Sequence, residues 1–241
     1  MLLLDVTLAT PGENLAFDEA LLDRCDAGCG DEVLRFWEPT SVFVVLGYAN
    51  RAASELNTDI CDESGVPVLR RISGGGAVLQ APGCLNYALV LRTSTAAELQ
   101  ATGTTNRFVM EKHRLLLEKL LGARVMIDGV TDLVVRGRKV SGNAQRRRAN
   151  AILFHGTFLL NAPVELMGKY LKMPSRVPAY RGGRPHEEFV GNLGIDREVL
   201  KAEMSRLWQA DRRANQWSDV AVAVERLVRT KYSHREWNMK F

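Results

Sequence analysis

Three consecutive glycines, Gly74-Gly75-Gly76, follow Arg70-Arg71-Ile72-Ser73 and precede Ala77-Val78. Glycine carries no Cβ and takes positive φ without a clash, so a run of it marks a turn rather than the interior of a helix or strand. The extended apolar stretch Leu85 to Leu91 comes next, which predicts a tight turn between strands with backbone amides open to a ligand. Arg70 and Arg71 add planar guanidinium forks suited to carboxylate or phosphate. The run lacks both the Gly-Lys-Ser/Thr ending of a P-loop and the strand-glycine-helix setting of a dinucleotide fingerprint. It reads either as a structural turn or as an anion cradle of another kind.

The segments around this turn define the fold class. Helical spacing predicts an amphipathic helix from Pro11 to about Ala27, another from Thr105 to Leu121 with Phe108, Leu115, Leu116, Leu120 and Leu121 facing a core, and further helices over Arg197 to Gln209 and Ser218 to Tyr232. Extended runs are expected at Glu32 to Trp37, Ser41 to Leu46, Pro67 to Ile72, Leu85 to Arg92, Ala123 to Ile127, Asp132 to Arg136 and Ala151 to Asn161. Two of the first four are close enough to pair as a hairpin. Short-connected strands flanked by helices predict an α+β fold around a largely antiparallel sheet. From Lys172 to His186, three prolines, two glycines and four cationic residues interrupt any regular element, so a long surface connection, lid or docking loop is expected.

Composition narrows the function classes. The 241 residues suffice for one domain, and 46% hydrophobic with 25% charged residues is a globular profile. Met1-Leu2-Leu3-Leu4 meets Asp5 with no basic segment before it, and no apolar run reaches membrane-spanning length; a cytoplasmic protein without membrane attachment is expected. Cys25, Cys29, Cys61 and Cys84 form no Cys-x-x-Cys pair, so neither a metal site nor a disulfide framework is indicated. A net charge of +4 favours an acidic partner only weakly. Arg146-Arg147-Arg148 is not interleaved with aromatics, so no nucleic-acid partner is expected.

Two more constellations bear on chemistry. In Asp132-Leu133-Val134-Val135-Arg136-Gly137-Arg138-Lys139-Val140-Ser141-Gly142-Asn143-Ala144, the Gly137-Arg138 pair predicts a hairpin turn. Period-two alternation then places Lys139, Ser141 and Asn143 on one face. Lys139 is either a solvated hairpin cation or a compact charge that holds a carboxylate against a phosphate. In Phe154-His155-Gly156-Thr157-Phe158-Leu159-Leu160-Asn161, a histidine and a glycine interrupt an apolar strand, and glycine in a strand marks close backbone approach. If Arg146-Arg147-Arg148 joins two antiparallel strands, Lys139 and His155 stand on neighbours.

Arg-Arg-x-Ser-Gly-Gly-Gly-Ala-Val, then Thr-Asp-Leu-x-x-x-Gly-Arg-Lys-x-Ser-Gly-Asn-Ala, then His-Gly-Thr-x-Leu, in this order, resemble the lipoate-protein ligase A family. The resemblance runs from Asn14-Leu15-Ala16-Phe17-Asp18-Glu19-Ala20 to Glu236-Trp237-Asn238. It implies the mixed catalytic domain shared by biotin and lipoate ligases, related to class II aminoacyl-tRNA synthetases, as a single domain over residues 1–241. It implies an ATP- and Mg²⁺-dependent enzyme that converts lipoate or octanoate to acyl-AMP and transfers the acyl group to a lysine of a lipoyl domain or glycine-cleavage H-type protein. Arg71, Gly75, Gly76, Ala77, Val78, Leu79 and Asp132 are implied for the nucleotide. Lys139 is implied as the catalytic contact to acyl carboxylate and α-phosphate. Arg70, Ser73, Gly74, Asn86, Ser141, Gly142, His155 and Gly156 are implied for the acyl substrate. Val78, Leu85 and Tyr87 are expected to help line an apolar slot for the acyl tail.

Two departures qualify the resemblance. The two-domain ligases of this family carry a C-terminal domain beyond the Trp-Asn element, whereas this sequence stops at Phe241, so it is expected to act alone or with a separate accessory polypeptide. Related acyltransferases of the same fold use a cysteine nucleophile, and neither Ala123 to Arg138 nor the part after His155 contains cysteine. ATP-independent octanoyl or lipoyl transfer is the alternative, with Cys84, expected as a buried thiol, the nucleophile it would need.

Overall fold

The computed structural model describes residues 1–213 and 217–241. Its strands are β1 (Leu2–Asp5), β2 (Val33–Trp37), β3 (Phe43–Leu46), β4 (Val68–Arg70), β5 (Val78–Gln80), β6 (Cys84–Arg92), β7 (Val125–Asp128), β8 (Asp132–Val135), β9 (Arg138–Arg147), β10 (Ala151–Leu159) and β11 (Arg212–Arg213). Among the described residues, eight strands form one sheet in the order β11-β1-β2-β6-β10-β9-β8-β7, and three form a small sheet, β4-β3-β5. The large sheet is antiparallel from β2 to β7, while β1 runs parallel to both β2 and β11. The expected α+β class and largely antiparallel sheet are found.

Period-two alternation sorts the sheet into two faces. Leu34 and Phe36 of β2, with Leu85, Tyr87 and Leu89 of β6 and Phe154 and Phe158 of β10, pack beneath α2 (Thr102–Leu121) and α3 (Arg197–Leu207). Val33 and Trp37, with Ala88, Val90 and Leu153, face α1 (Pro11–Asp26) and α4 (Ser218–Leu227). A capping box starts α1, with the Glu13 amide donating to Thr10 Oγ1 at 3.2 Å and the Thr10 amide to Glu13 Oε2 at 2.7 Å. In α2 the core contacts are made by Val109, Met110, His113, Leu116 and Leu117, while Leu115, expected inward, is 53% exposed. The helix turns that residue away because it lies one position, about 100°, from Leu116.

Two sequence expectations change. None of the first four expected runs forms a hairpin with its chain neighbour: Pro39-Thr40 leads from β2 in the large sheet to β3 in the small one, β3 and β4 pair in parallel, and β2 pairs with β6. The glycine segment does not lead straight to β6, since β5 intervenes; it crosses β3 to join β4 and β5, which flank that strand. Short strands of three or four residues such as β1 and β5 carry too little alternation to be read from sequence. The link through Arg148 is as expected, closing β9 onto β10 with Arg148 N donating to Ala151 O at 2.8 Å.

Candidate active site

A cavity of about 600 Å³ opens on the α1 side of the sheet, between β6, β10, β9 and β8, the glycine segment and the loop after Leu171. Leu15, Trp37, Val45 and Val78 supply a contiguous apolar wall. Leu85, expected in that wall, points into the opposite core.

Arg71 shapes the glycine segment from inside. Its Nη2 donates to the Gly74 and Gly76 carbonyls at 2.6 and 2.9 Å, and its Nε to Ser73 Oγ and Gly74 O at 3.1 Å each. With those carbonyls turned inward, Gly74, Gly75 and Gly76 remain exposed, and Gly75 takes φ +88. Gly47 accommodates the loop from below: a Cβ there would stand 2.0 Å from Gly75 O. Burial lowers the Arg71 guanidinium to about 10, so it stays cationic at neutral pH. Arg70 is different. It is fully buried and donates to the carbonyls of Gly47, Tyr48, Asn50, Trp237 and Asn238, tying the segment after β3 to the C-terminal residues.

The second cation comes from β9. Lys139 Nζ lies 2.7 Å from Asp132 Oδ1, and Tyr180 donates its hydroxyl to Asp132 Oδ2 at 2.7 Å. Burial, then the Asp132 charge, pushes the Tyr180 phenol well above its ordinary value, which keeps it a donor. The expected sharing of one face by Lys139, Ser141 and Asn143 does not occur. Asp132 pairs with Gly142 and Leu133 with Ser141, but Val134 pairs with Lys139, so Val140 and Ser141 both lie opposite Leu133 in a β-bulge. The extra residue rotates Lys139 onto the cavity face and leaves Ser141 and Asn143 on the other. Gly142 makes room for the lysine, since a Cβ at that position would meet Lys139 Cε at 2.9 Å.

On the far face, Tyr87 donates its hydroxyl to Asn143 Oδ1 at 2.6 Å, and Asn143 Nδ2 donates to Thr131 O at 2.7 Å. Gly156 supplies the space for this pair, because its Cβ would lie 1.9 Å from Asn143 Oδ1. On the cavity face of β10, His155 Nε2 is 2.5 Å from Ser73 Oγ and its Nδ1 is 3.8 Å from Asp18 Oδ2. Asp18 pairs with the fully buried Arg35 at 2.6 Å. Asn86 exchanges amide bonds with Gln80 at 2.9 and 3.0 Å and accepts the Thr157 hydroxyl at 2.5 Å.

The structure thus brings Arg71, Gly75, Gly76, Ala77, Val78, Leu79, Asn86, Asp132, Lys139, Gly142, His155 and Gly156 to one cavity. Arg70, Ser73, Gly74 and Ser141 are not among its lining residues; Ser73 touches it through His155, and Ser141 is buried in β9 opposite Leu133. Sequence reasoning missed Asp18, Gln80, Thr157 and Tyr180 as site residues. Asp18 had a signal, an acid amid apolar residues of α1, and Tyr180 lies in the irregular loop flagged from its prolines. The loop contributes Pro174, Val177, Pro178 and Tyr180 to the cavity wall. All four cysteines are free thiols; burial pushes Cys84 up to about 11, and it packs in the small-sheet core. Among the described residues no group of three or more His, Cys, Asp or Glu side chains could hold a metal ion, and no helix is long and apolar enough to cross a membrane.

The chain is 28% identical over 249 residues to lipoate-protein ligase A subunit 1 of Thermoplasma acidophilum, covering 96% of this chain and 94% of that protein. It is 31% identical over 258 residues to the octanoyltransferase LipM of Carboxydothermus hydrogenoformans, covering 95% and 94%. The fold matches that of a lipoate-protein ligase A bound with ATP, at TM-score 0.83 and 24% identity over 99% of this chain and 98% of that one. It also matches a chain from the bi-partite lipoate protein ligase and E2 lipoyl domain system of T. acidophilum, at TM-score 0.83 and 24% identity over 99% and 95%. Residues 10–206 match the family model for the lipoyl protein ligase A/B catalytic domain, and the chain belongs to that family of lipoate ligases and acyltransferases.

Proposed function

We propose that residues 1–241 form the catalytic unit of an ATP-dependent lipoate-protein ligase, which activates lipoate or octanoate as acyl-AMP and passes the acyl group to a lysine of a lipoyl domain or H-type protein. The observation that carries this reading is the pairing in one cavity of two cationic sites with an apolar wall: Arg71 under the glycine amides, and Lys139 held by Asp132. A carboxylate attacking an α-phosphate brings two anions together, and fixed cations aimed at that point stabilise the transition state. In this scheme Lys139 leaves Asp132 for the acyl carboxylate and α-phosphate. Asp132 keeps the Tyr180 hydroxyl, and Gly75, Gly76, Ala77, Val78 and Leu79 present backbone to the nucleotide. Asn86, Gly142, His155 and Gly156 border the acyl substrate, and the wall of Leu15, Trp37, Val45 and Val78 takes its tail. Mg²⁺ enters with the triphosphate of ATP, a cation that favours phosphate and water ligands over a dedicated protein cage.

The LipM relative favours a second reading, ATP-independent octanoyl transfer. That chemistry needs a thiolate at the cavity. Cys84, Cys61 and Cys25 are buried with raised thiols, and no cysteine is among the cavity's lining residues. Incubation with ATP, Mg²⁺ and lipoate should yield lipoyl-AMP, and addition of an apo lipoyl domain should yield lipoylated lysine. A separate accessory polypeptide, as the subunit naming of the T. acidophilum relative suggests, would show as transfer that requires its addition. Acyl transfer from octanoyl acyl-carrier protein without ATP would overturn the ligase reading.

A further inference from the structure

His155 borders the cavity, and its two ring nitrogens face different groups. Nε2 meets Ser73 Oγ at 2.5 Å, while Nδ1 looks toward Asp18 Oδ2 at 3.8 Å. Ser73 Oγ accepts Arg71 Nε–H at 3.1 Å, and His155 Nε2 is the acceptor that stands within reach of its own proton. In that arrangement the lone pair sits on Nε2, and the proton on Nδ1 is on the side of the carboxylate. Asp18 is itself fixed, its other oxygen held by Arg35 Nη1 at 2.6 Å in a buried pair. A hydroxyl, an imidazole and a carboxylate therefore stand in line on three separate elements. Asp18 and Asp132 are each paired with a cation; Glu55, Asp128 and His186 also line the cavity, but Glu55 accepts the Ser175 hydroxyl and His186 Nε2 meets the Lys172 carbonyl, whereas His155 is the imidazole held between a hydroxyl and a carboxylate.

We propose that His155 is the general base of acyl transfer and that Asp18 is its positioning residue. The inference rests on the acyl transfer to an amine proposed above, but not on the donor, because the amine loses the same proton to an adenylate or a thioester. The neutral amine of the acceptor lysine attacks the acyl carbon and the N–C bond forms. The bond from that carbon to the phosphate oxygen breaks, and AMP departs with the electron pair. The surplus proton on nitrogen passes to His155 Nε2 and then to solvent, while the transient imidazolium faces Asp18. Ser73 holds the lone pair oriented until the amine arrives.

The test is single-turnover transfer from preformed octanoyl-AMP to an apo lipoyl domain, followed against pH. General-base removal costs about 100-fold or more, so His155→Ala should lose that much, and added imidazole should restore part of it, more with the more basic substituted imidazoles. His155→Gln keeps volume and hydrogen bonding but accepts no proton, and should show the same loss. The charged groups around the ring are Asp18 from α1, Arg35 behind it from β2, and Arg71 beside Ser73. Asp18→Asn removes the one that favours the imidazolium, so the acid limb of the pH-rate profile should move to lower pH, and in the His155→Gln background it should add no further loss. A His155→Gln variant within threefold of wild type overturns the proposal, as does a His155→Ala defect that no imidazole relieves. If the wild-type protein transfers only from octanoyl acyl-carrier protein, the adenylate reading fails while the same series, run with that donor, still decides the role of His155. Wild-type transfer from neither donor, with the accessory polypeptide also supplied, overturns both.

Discussion

Replacing Lys139 by Met separates catalytic charge from structural contact. Methionine keeps an unbranched apolar stem of similar reach and removes only the ammonium. The pair with Asp132 is 2.7 Å long, but the lysine side chain is 27% exposed, so the ion pair contributes at most about 1 kcal/mol to stability after solvent screening. Asp132 keeps the Tyr180 hydroxyl at 2.7 Å and is not left without a partner. For the reaction the charge matters more: a preorganised cation or donor at developing negative charge stabilises a transition state by about 2.7–4 kcal/mol, roughly 100- to 1,000-fold in rate. Lys139→Met should therefore slow ATP–pyrophosphate exchange in the presence of lipoate by two to three orders of magnitude, with the urea midpoint nearly unchanged. Exchange within threefold of wild type would refute the placement of Lys139 at the reacting phosphate. A large stability loss alongside the rate loss would show instead that the lysine holds β8, β9 and the Tyr180 loop together.

Other perturbations test other links. His113 is wholly buried on the core face of α2, accepts Trp208 Nε1–H at 3.0 Å, and is lowered by burial to about 3. Because the folded state resists protonation, this contribution is present above the ordinary histidine value of about 6.5 and is lost as pH falls toward 3; between pH 7 and 4.5 it amounts to about 2–3 kcal/mol, which His113→Gln should remove from the pH dependence of urea unfolding. Gly142→Ala places a Cβ against Lys139 Cε at 2.9 Å and should slow adenylation about tenfold with little change in melting temperature; an unchanged rate would mean the lysine has another path to the cavity. Cys84→Ser puts a hydroxyl into an apolar core and should cost about 1–3 kcal/mol while sparing acyl transfer, whereas loss of transfer with a retained fold would bring the thioester route back.

The longer elements were legible because their signals are local and redundant. Pro11 suits the first turn of α1, Gly122 in the left-handed region ends α2, and the apolar run from Leu85 to Arg92 is long enough to define a central strand. Pairing was less legible. Whether Glu32 to Trp37 joins Ser41 to Leu46 or the more distant β6 depends on which partner buries Leu34 and Phe36, and that is a property of the whole sheet rather than of the segment.

The site shows the same division more sharply. Motif residues such as Arg71 and Lys139 were recognisable, yet Arg70, adjacent to Arg71 and identical to it in chemistry, lies outside the cavity and ties Gly47, Tyr48 and Asn50 to the C-terminal residues, whereas Arg71, just past β4, braces the glycine segment that lines it. Lys139 reaches the cavity only because Val140 and Ser141 together oppose Leu133. Without that bulge, strict alternation would send Lys139 to the same side as Ser141, toward the α2 core, where Val140 and Leu133 now pack. A charged side chain on that side would be buried without a carboxylate, so the chain gains by bulging: Val140 takes the apolar position and Lys139 finds Asp132. The register break and the catalytic cation are thus one solution to one constraint. The glycine that follows, Gly142, completes it by leaving the lysine a path across its own strand.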